Sequence, residues 1–442
     1  MSSDTRVPLS SVAEIVSVKV PVSSLGGHPY VSTENLLPNL GGLGEGALPD
    51  ADRVNSFNKH DTLFSNIRPY FRKVHYAPTG GGCSADVLVF RTKDPQEFWP
   101  PYLYYCLADP TFIEHTMATC KGAKMPRGDK GAMLQYLVPK PDLDAQKKVS
   151  SLLRSLDESI TALQQQNTAL ESIAQRLFRS WFVNFDPVHA KAAGKEPEAM
   201  SAELAALFPS EFEDSELGPI PKGWSVTTFG ECLAHTIGGD WGKDALDEKH
   251  TQSVRVIRGT DIPDLLNSNS STVPRRFVQP SKFKQRMLQP YDLVVEVSGG
   301  SKDQSTGRSL LVTRSMLSEL GSPSVPTSFC RLFRPTTASL GVLLGCRLKW
   351  HYDEGHMWGY QVQSTGIANF QTTFFLANDK MAMPPEALLA KFKEIVGPML
   401  ESSCNPVIRA LAELRDHLLP RLISGKLSLE EAEQAVEEAM AA

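Results

Sequence analysis

Apolar or neutral residues recur at Val149, Leu153, Leu156, Ile160, Leu163, Asn167, Leu170, Ala174, Leu177 and Trp181, in alternating steps of four and three. That spacing lays one stripe along a helix and predicts a coiled-coil seam. Some 35–40 residues from Asp144 onward follow the pattern, enough for a helix of roughly 50–60 Å. Asn167 interrupts the stripe, where a polar residue either fixes partner register or marks a partly solvated stretch. A second, less regular stripe between Glu386 and Ser424 uses Phe392, Val396, Leu400, Cys404, Val407, Leu411, Leu414 and Leu418. Gly397-Pro398 and Asn405-Pro406 interrupt it, and since proline costs about 3 kcal/mol inside a helix, kinks or breaks are expected there. A lone stripe needs a cover, so the two helices are expected to pack on each other, antiparallel, with globular domains at opposite ends.

Elsewhere the apolar runs are short. Asp86 to Phe90 and Asp292 to Val297 predict strands between turns rich in Gly, Pro and Ser. These regions repeat one another at a period of about 240 residues, the signature of a duplicated module. Val31 to Leu36 parallels Arg258 to Ile262, each with a Thr-acidic pair beside an apolar residue. Asp61-Thr62-Leu63-Phe64-Ser65 parallels Asp292-Leu293-Val294-Val295, Val89-Phe90-Arg91 parallels Leu332-Phe333-Arg334, and Leu137-Val138-Pro139 parallels Ala382-Met383-Pro384. The order is kept, and a helical pattern follows in both halves. The expected fold class is α+β: two similar mixed α/β domains separated by two long antiparallel coiled-coil helices, with a pseudo-twofold internal repeat. Residues 191–216, rich in Ala, Glu, Pro and Ser, resemble an acidic linker or short helices. Ser428 precedes a final acidic helix as a capping-box residue.

The 442 residues, 41% hydrophobic, allow several cores. No apolar run approaches the roughly 20 residues of a membrane helix, and the N-terminus has no apolar signal core, so a cytoplasmic location is expected. Seven scattered cysteines without a C-x-x-C pair are expected to be structural thiols. The net charge of −5 excludes a uniformly basic, DNA-coating protein but permits local basic faces.

Catalytic constellations are lacking. There is no G-x-x-x-x-G-K-[ST] loop, no H-E-x-x-H, no G-x-S-x-G and no Asn-Pro-Pro-aromatic tetrapeptide. Asp292 and Glu296 lack the lysine that would follow in a nuclease metal site, since Ser298 stands there, and His60, His75 and His356 have no metal-ligand spacing. No catalysis is expected of the chain alone, and no cofactor or metal.

Basic residues, in contrast, cluster in both halves. Ile67 to Lys73 interleaves Arg68, Arg72 and Lys73 with Tyr70 and Phe71, and Lys121, Lys124, Arg127 and Lys130 punctuate a loop containing Gly122 and Gly128. In the second half, Pro274-Arg275-Arg276 and Lys282 to Arg286 lie in a stretch without an acid, and Lys302, Arg308 and Arg314 follow Gly299-Gly300. Such side chains neutralise phosphates, and Arg, Asn and Gln also pair with base edges. The candidate DNA-binding residues are Arg68, Lys73, Lys121, Lys124, Arg127, Arg258, Arg275, Arg276, Lys284, Lys302 and Arg308.

Four segments carry a resemblance over essentially the whole chain: Asp61 to Tyr70, Leu177 to Val188, Gly218 to Trp224 and Leu418 to Leu427. They resemble the specificity subunits of type I restriction-modification systems. The resemblance implies a non-catalytic subunit with two target-recognition domains, each reading half of a split double-stranded DNA site. It implies paired spacer helices that dock two adenine methyltransferase subunits, with motor-nuclease subunits joining the complex. S-adenosylmethionine, ATP and Mg2+ are then expected on those partners. The implied boundaries are a first recognition domain at 1–142, a spacer helix at 143–185, a linker at 186–217, a second recognition domain at 218–385, and a second spacer helix with tail at 386–442. The second half lacks an Ile-Arg-Pro-Tyr copy, having Glu296-Val297-Ser298-Gly299-Gly300 instead, so its contacts cannot be copied from the first. The alternative is a coiled-coil protein scaffold that does not bind DNA.

Overall fold

The computed structural model describes residues 5–122, 124–301, 304–364, 367–402 and 405–441. It has α+β architecture and divides into two compact units, 1–160 with 410–442, and 161–409.

In the first unit, the strand Thr62–Ser65 lies between Val87–Thr92 and Val74–Tyr76, with Ala13–Val16 outside Val87–Thr92. Every residue of Thr62–Ser65 is buried, the hydroxyl residues Thr62 and Ser65 as well as Leu63 and Phe64. A smaller sheet runs Val18–Pro21, Arg53–Phe57, Gly81–Cys83, Tyr30–Val31, its last pair parallel. Helices Pro100–Ala108 and Pro110–Ala118 cover the larger sheet with the buried rings of Tyr102, Tyr105 and Phe112. Arg6–Pro8 pairs with Leu137–Pro139 and closes the domain.

The second unit repeats this plan. Its main sheet runs Leu233–Gly238, Cys330–Pro335, Leu293–Glu296, Ser309–Leu311, the same chain order as in the first. A second sheet again contains a parallel pair, Gln252–Ile257 with Ser324–Pro326, and Ser225–Thr228 closes on Lys380–Met383. The turns that follow the parallel strands match: the Ser32 N–H donates to Asn35 Oδ1 at 2.7 Å, and the Arg258 N–H to Asp261 Oδ2 at 2.9 Å. Asn35, and not Glu34 of the Thr-acidic pair, thus stands where Asp261 does. The Thr-acidic pairs of the two halves are thus one residue out of step in the fold.

The first stripe forms one 40-residue helix, Leu143–Phe182. The second is divided into Glu386–Glu401 and Pro406–Ile423. Pro398 lies inside the former helix, so the expected break falls at Asn405-Pro406 and not at Gly397-Pro398. Cys404 lies outside the described residues. Within the second unit the pairing is antiparallel. Trp181 and Phe182 contact Phe392 at ring-centroid distances of 5.6 and 4.8 Å, while Ile408 shares a cavity of about 250 Å³ with Gln164 and Asn167. Seam residues Ala174 and Trp181 are buried, as are Leu153, Leu156 and Ile160 in the first unit; at Leu177 the stripe is only half-buried, and its neighbour Phe178 is buried instead. Leu163, Asn167 and Leu170 are only half-buried; the seam opens over the stretch where the partner helix is interrupted.

Residues 186–217 pack on the second unit's core: short helices Asp186–Ala192 and Ala202–Ala205 flank it, with Val188 and Phe208 buried. At the other end, Ser428 caps the helix Leu429–Ala441 as expected, its N–H donating to Glu431 Oε2 at 2.9 Å while the Glu431 N–H donates to Ser428 Oγ at 3.2 Å.

Candidate nucleic-acid interface

In the first unit the basic loop is stitched at its base. Lys121 and Arg127 exchange both backbone hydrogen bonds at 3.0 Å, the Arg68 N–H donates to the Pro126 carbonyl at 2.9 Å, and the Gly128 N–H to the Asn66 carbonyl at 3.2 Å. These bonds fix the loop against 66–68 and leave its tip outside, where Lys124 and Met125 are exposed. At Gly128 a side chain does not fit: a Cβ would stand 2.9 Å from Thr116 Cγ2 and 3.0 Å from Asn66 Oδ1. Asp129 caps the next helix, accepting from the Gly131 and Ala132 N–H groups, and pairs with Lys121 at 2.8 Å. That pairing holds the half-buried Asp129 carboxyl below its ordinary pKa. Arg127 reaches Asp86 at 3.1 Å with its side chain still more than half exposed.

Arg68 and Arg72 both adopt left-handed backbone (φ 50°) and bracket the short 3-10 turn Pro69–Phe71. The conformation is unusual for residues other than glycine. It turns Tyr70 and Phe71 outward beside the exposed Arg68. Lys73 is held inward: its Nζ donates to the Thr33 carbonyl at 2.6 Å, and burial lowers its pKa despite nearby Glu34.

The second unit distributes its cations differently. Arg276 is buried, pairs with Asp244, donates to the Trp241 carbonyl at 3.1 Å and stacks on the Trp241 ring at 4.1 Å. Arg308 is bound two-pronged to Glu296 at 3.0 Å, a hydrogen-bonded pair that raises its pKa. Arg258 is tied to Asp261 at 2.6 Å and to the Thr272 carbonyl at 2.8 Å. Arg275 and Lys284 are exposed, while Lys302 lies outside the described residues. Lys243 and Phe277 exchange backbone hydrogen bonds, laying the exposed Trp241 and Lys243 along the strand of Arg275. Trp241 and Lys243 stand outside the basic clusters of the sequence; their signal there is the Gly-flanked aromatic and cation of Gly239-Asp240-Trp241-Gly242-Lys243.

Asp292 and Glu296 are each consumed by an arginine, Arg334 and Arg308. Among the described residues no group of three or more His, Cys, Asp or Glu could hold a metal ion. The thiols of Cys83, Cys330 and Cys346 are free and buried, which pushes their pKa up to about 12.

A duplicated α+β domain, each copy carrying exposed cations and packed with parts of two helical stretches, is the class these features define. Residues 6–172 match the type I restriction modification DNA specificity domain. The chain is 25% identical over 345 residues to the type I restriction enzyme MjaIX specificity subunit of Methanocaldococcus jannaschii, covering 75% of this chain and 69% of that one. It is 24% identical over 422 residues to the HindI specificity subunit of Haemophilus influenzae, covering 84% and 87%. The fold resembles the crystal structure of a type I restriction-modification S subunit from M. genitalium, with a TM-score of 0.53, 15% identity and 96% of each chain covered. The resemblance to type I specificity subunits is borne out.

Proposed function

We propose that this chain is the DNA-reading, non-catalytic subunit of a type I restriction-modification complex. The carrying observation is that the region matching a DNA specificity domain recurs with the same strand order in the second half. The two domains, taken as 1–142 and 218–385, each read half of a split double-stranded site. The helices, taken as 143–185 and 386–442 with 186–217 between, dock two adenine methyltransferase subunits, and motor-nuclease subunits join them. S-adenosylmethionine, ATP and Mg2+ belong to those partners, and the complex works in the cytoplasm.

In the first domain Lys124 and Arg127 enter a groove, while Arg68 and Lys121 grip phosphate. In the second, Arg275 and Lys284 face the DNA with Trp241 and Lys243, and Lys302 joins them as an expectation from the sequence alone. Arg276, Arg308 and Lys73, turned inward on Asp244, Glu296 and the Thr33 carbonyl, hold the loops, while Arg258, tied to Asp261 with its side chain 38% exposed, stays a candidate contact.

The test is methylation of a randomised-site library by the complex reconstituted with its methyltransferase subunits. A two-part consensus is expected, with DNA affinity falling with salt at a slope of roughly −0.9 per neutralised phosphate. A flat salt response with no consensus would identify a protein scaffold instead.

A further inference from the structure

In the first unit a closed network of charges joins the DNA-facing turn to both helices. Arg72, the residue that ends the turn Pro69–Phe71, directs its two terminal nitrogens at Asp416 of the helix Pro406–Ile423, at 3.2 and 3.3 Å. One of them also donates to the Ala108 carbonyl at 3.2 Å. Asp416 in turn accepts from Arg415 at 3.0 and 3.1 Å. The Arg415 side chain, only 5% exposed, spans to Asp157 of the long helix at 2.8 Å, and Asp157 accepts the Tyr105 hydroxyl at 2.7 Å. Two arginines and two aspartates balance, so the network carries no net charge. Tyr105 and Arg72 belong to the domain, and Asp157 and Arg415 to the two helices. The phase of both helices is thereby fixed against the turn that carries Arg68, Tyr70 and Phe71.

The second unit holds its domain to the long helix through different polar contacts. Arg179–Glu354 at 2.9 Å leaves both side chains more than a third exposed, and Lys349–Glu171 is 3.8 Å apart. The cavity of about 250 Å³ lies at this contact, lined by Asn167 and Glu171 of the long helix and by Asn267 and Lys349 of the domain. Exposed pairs of this kind contribute little orientation energy; in the first unit Asp416 is 37% exposed, but both arginines that hold it, Arg72 and Arg415, are only 14% and 5% exposed, and stranding such a group is costly.

We propose that Arg72 and Asp416, backed by Arg415, Asp157 and Tyr105, are positioning residues that set the DNA spacer length the protein accepts, by locking the first domain's DNA-facing turn to the helices. The proposal rests on the reading of this chain as a two-part DNA reader. A rigid mount admits one separation between half-sites, and a loosened mount admits its neighbours. Base choice is left to the loop tip, which the network does not touch.

The experiment uses the assembled methyltransferase complex and a site library in which the half-sites are fixed and the spacer is varied one base pair either way. Arg72→Met removes the link while Asp416 keeps its bonds to Arg415. The expected result is an unchanged half-site consensus together with a roughly tenfold loss of preference for the natural spacer, the factor that about 1.4 kcal/mol confers. Glu354→Gln in the second unit should leave spacer preference near wild type. Undiminished spacer preference in a folded Arg72→Met complex overturns the proposal, and so does loss of the first half-site's base preference without a change in spacing. Should Arg72→Met fail to assemble, Asp416→Asn, of equal size, decides by the same two readouts. If the wild-type complex itself shows no two-part site, the reading of the chain has failed, and not the mount.

Discussion

Asp61 and Arg91 face each other across adjacent strands and form a two-pronged ion pair, both contacts at 2.7 Å. Asp292 and Arg334 repeat it in the second domain at 2.8 and 2.7 Å. The accessory bond is repeated as well: the Asn58 N–H donates to Asp61 at 2.6 Å and the Gln289 N–H to Asp292 at 2.7 Å. Two of the separate matches between the halves of the sequence are therefore the two sides of one interaction, present twice. Each pair pins the register of the central strand against its neighbour.

Removing the arginine leaves a buried carboxylate without its counter-charge, since Asp61 is only 2% exposed. Arg91→Leu is expected to destabilise the first unit by about 3 kcal/mol. Arg334→Leu should do the same to the second. Urea unfolding followed by a probe in each unit checks this, and an effect below about 1 kcal/mol would show that strand packing alone sets the register.

Gly128→Ala places a methyl group against Thr116 and Asn66 at the base of the basic loop. Overpacking of this kind costs about 1–3 kcal/mol. The expected signature is a lower melting temperature together with weaker preference at the first half-site only. A variant with unaltered half-site preference would mean that the loop base does not order the tip.

The arginines held inward by buried carboxylates should separate from the exposed cations of the loop. Arg127→Ala is expected to cost about 1–3 kcal/mol in binding and to relax one position of the first half-site, as loss of a guanine contact does. Lys124→Ala should weaken the same half. Arg308→Ala, which strands Glu296, should lower the stability of the second unit before it alters any base preference. If the first half-site and its stringency survive both loop substitutions, the loop does not read DNA.

His351 gives the second unit a pH dependence. Burial holds its pKa below the ordinary 6.5, although Asp379, 3.0 Å away, raises it; Arg347 and His356 lower it further. Below pH 6.5 the unfolded chain binds a proton that the folded chain refuses, so stability is lost as pH falls from 6.5 toward the folded value. His351→Gln should flatten that slope in urea midpoints measured across the range. His75 in the first unit is depressed by burial alone and should retain its own share of the slope.

The interrupted second helix shows how far local pattern reaches. Proline lacks an N–H and clashes with the preceding turn, so two proline sites predicted two interruptions. One helix ends at Glu401 and the next opens at Pro406; Pro398 is accommodated where Phe392 and Val396 are buried in the second unit's core. Packing on that side outweighs the local penalty, and periodicity carries no measure of it. Similarly, Asn167 stands on the stripe as expected, but whether a seam position is sealed depends on a partner hundreds of residues away.

The sequence by itself determined the doubled plan, the strands and the two helical stretches. Those follow from side-chain spacing and turn chemistry, which are local and therefore written in order along the chain. Tertiary structure alone decided which basic residues remain available. Arg276, Arg308 and Lys124 look equally cationic as letters, yet Asp244 and Glu296 are brought to the first two by strand pairing while Lys124 is carried outward by a stitched loop. It also decided that Arg72 serves the mount and not the surface, because its counter-charge, Asp416, lies 344 residues away and meets it only after both helices have packed.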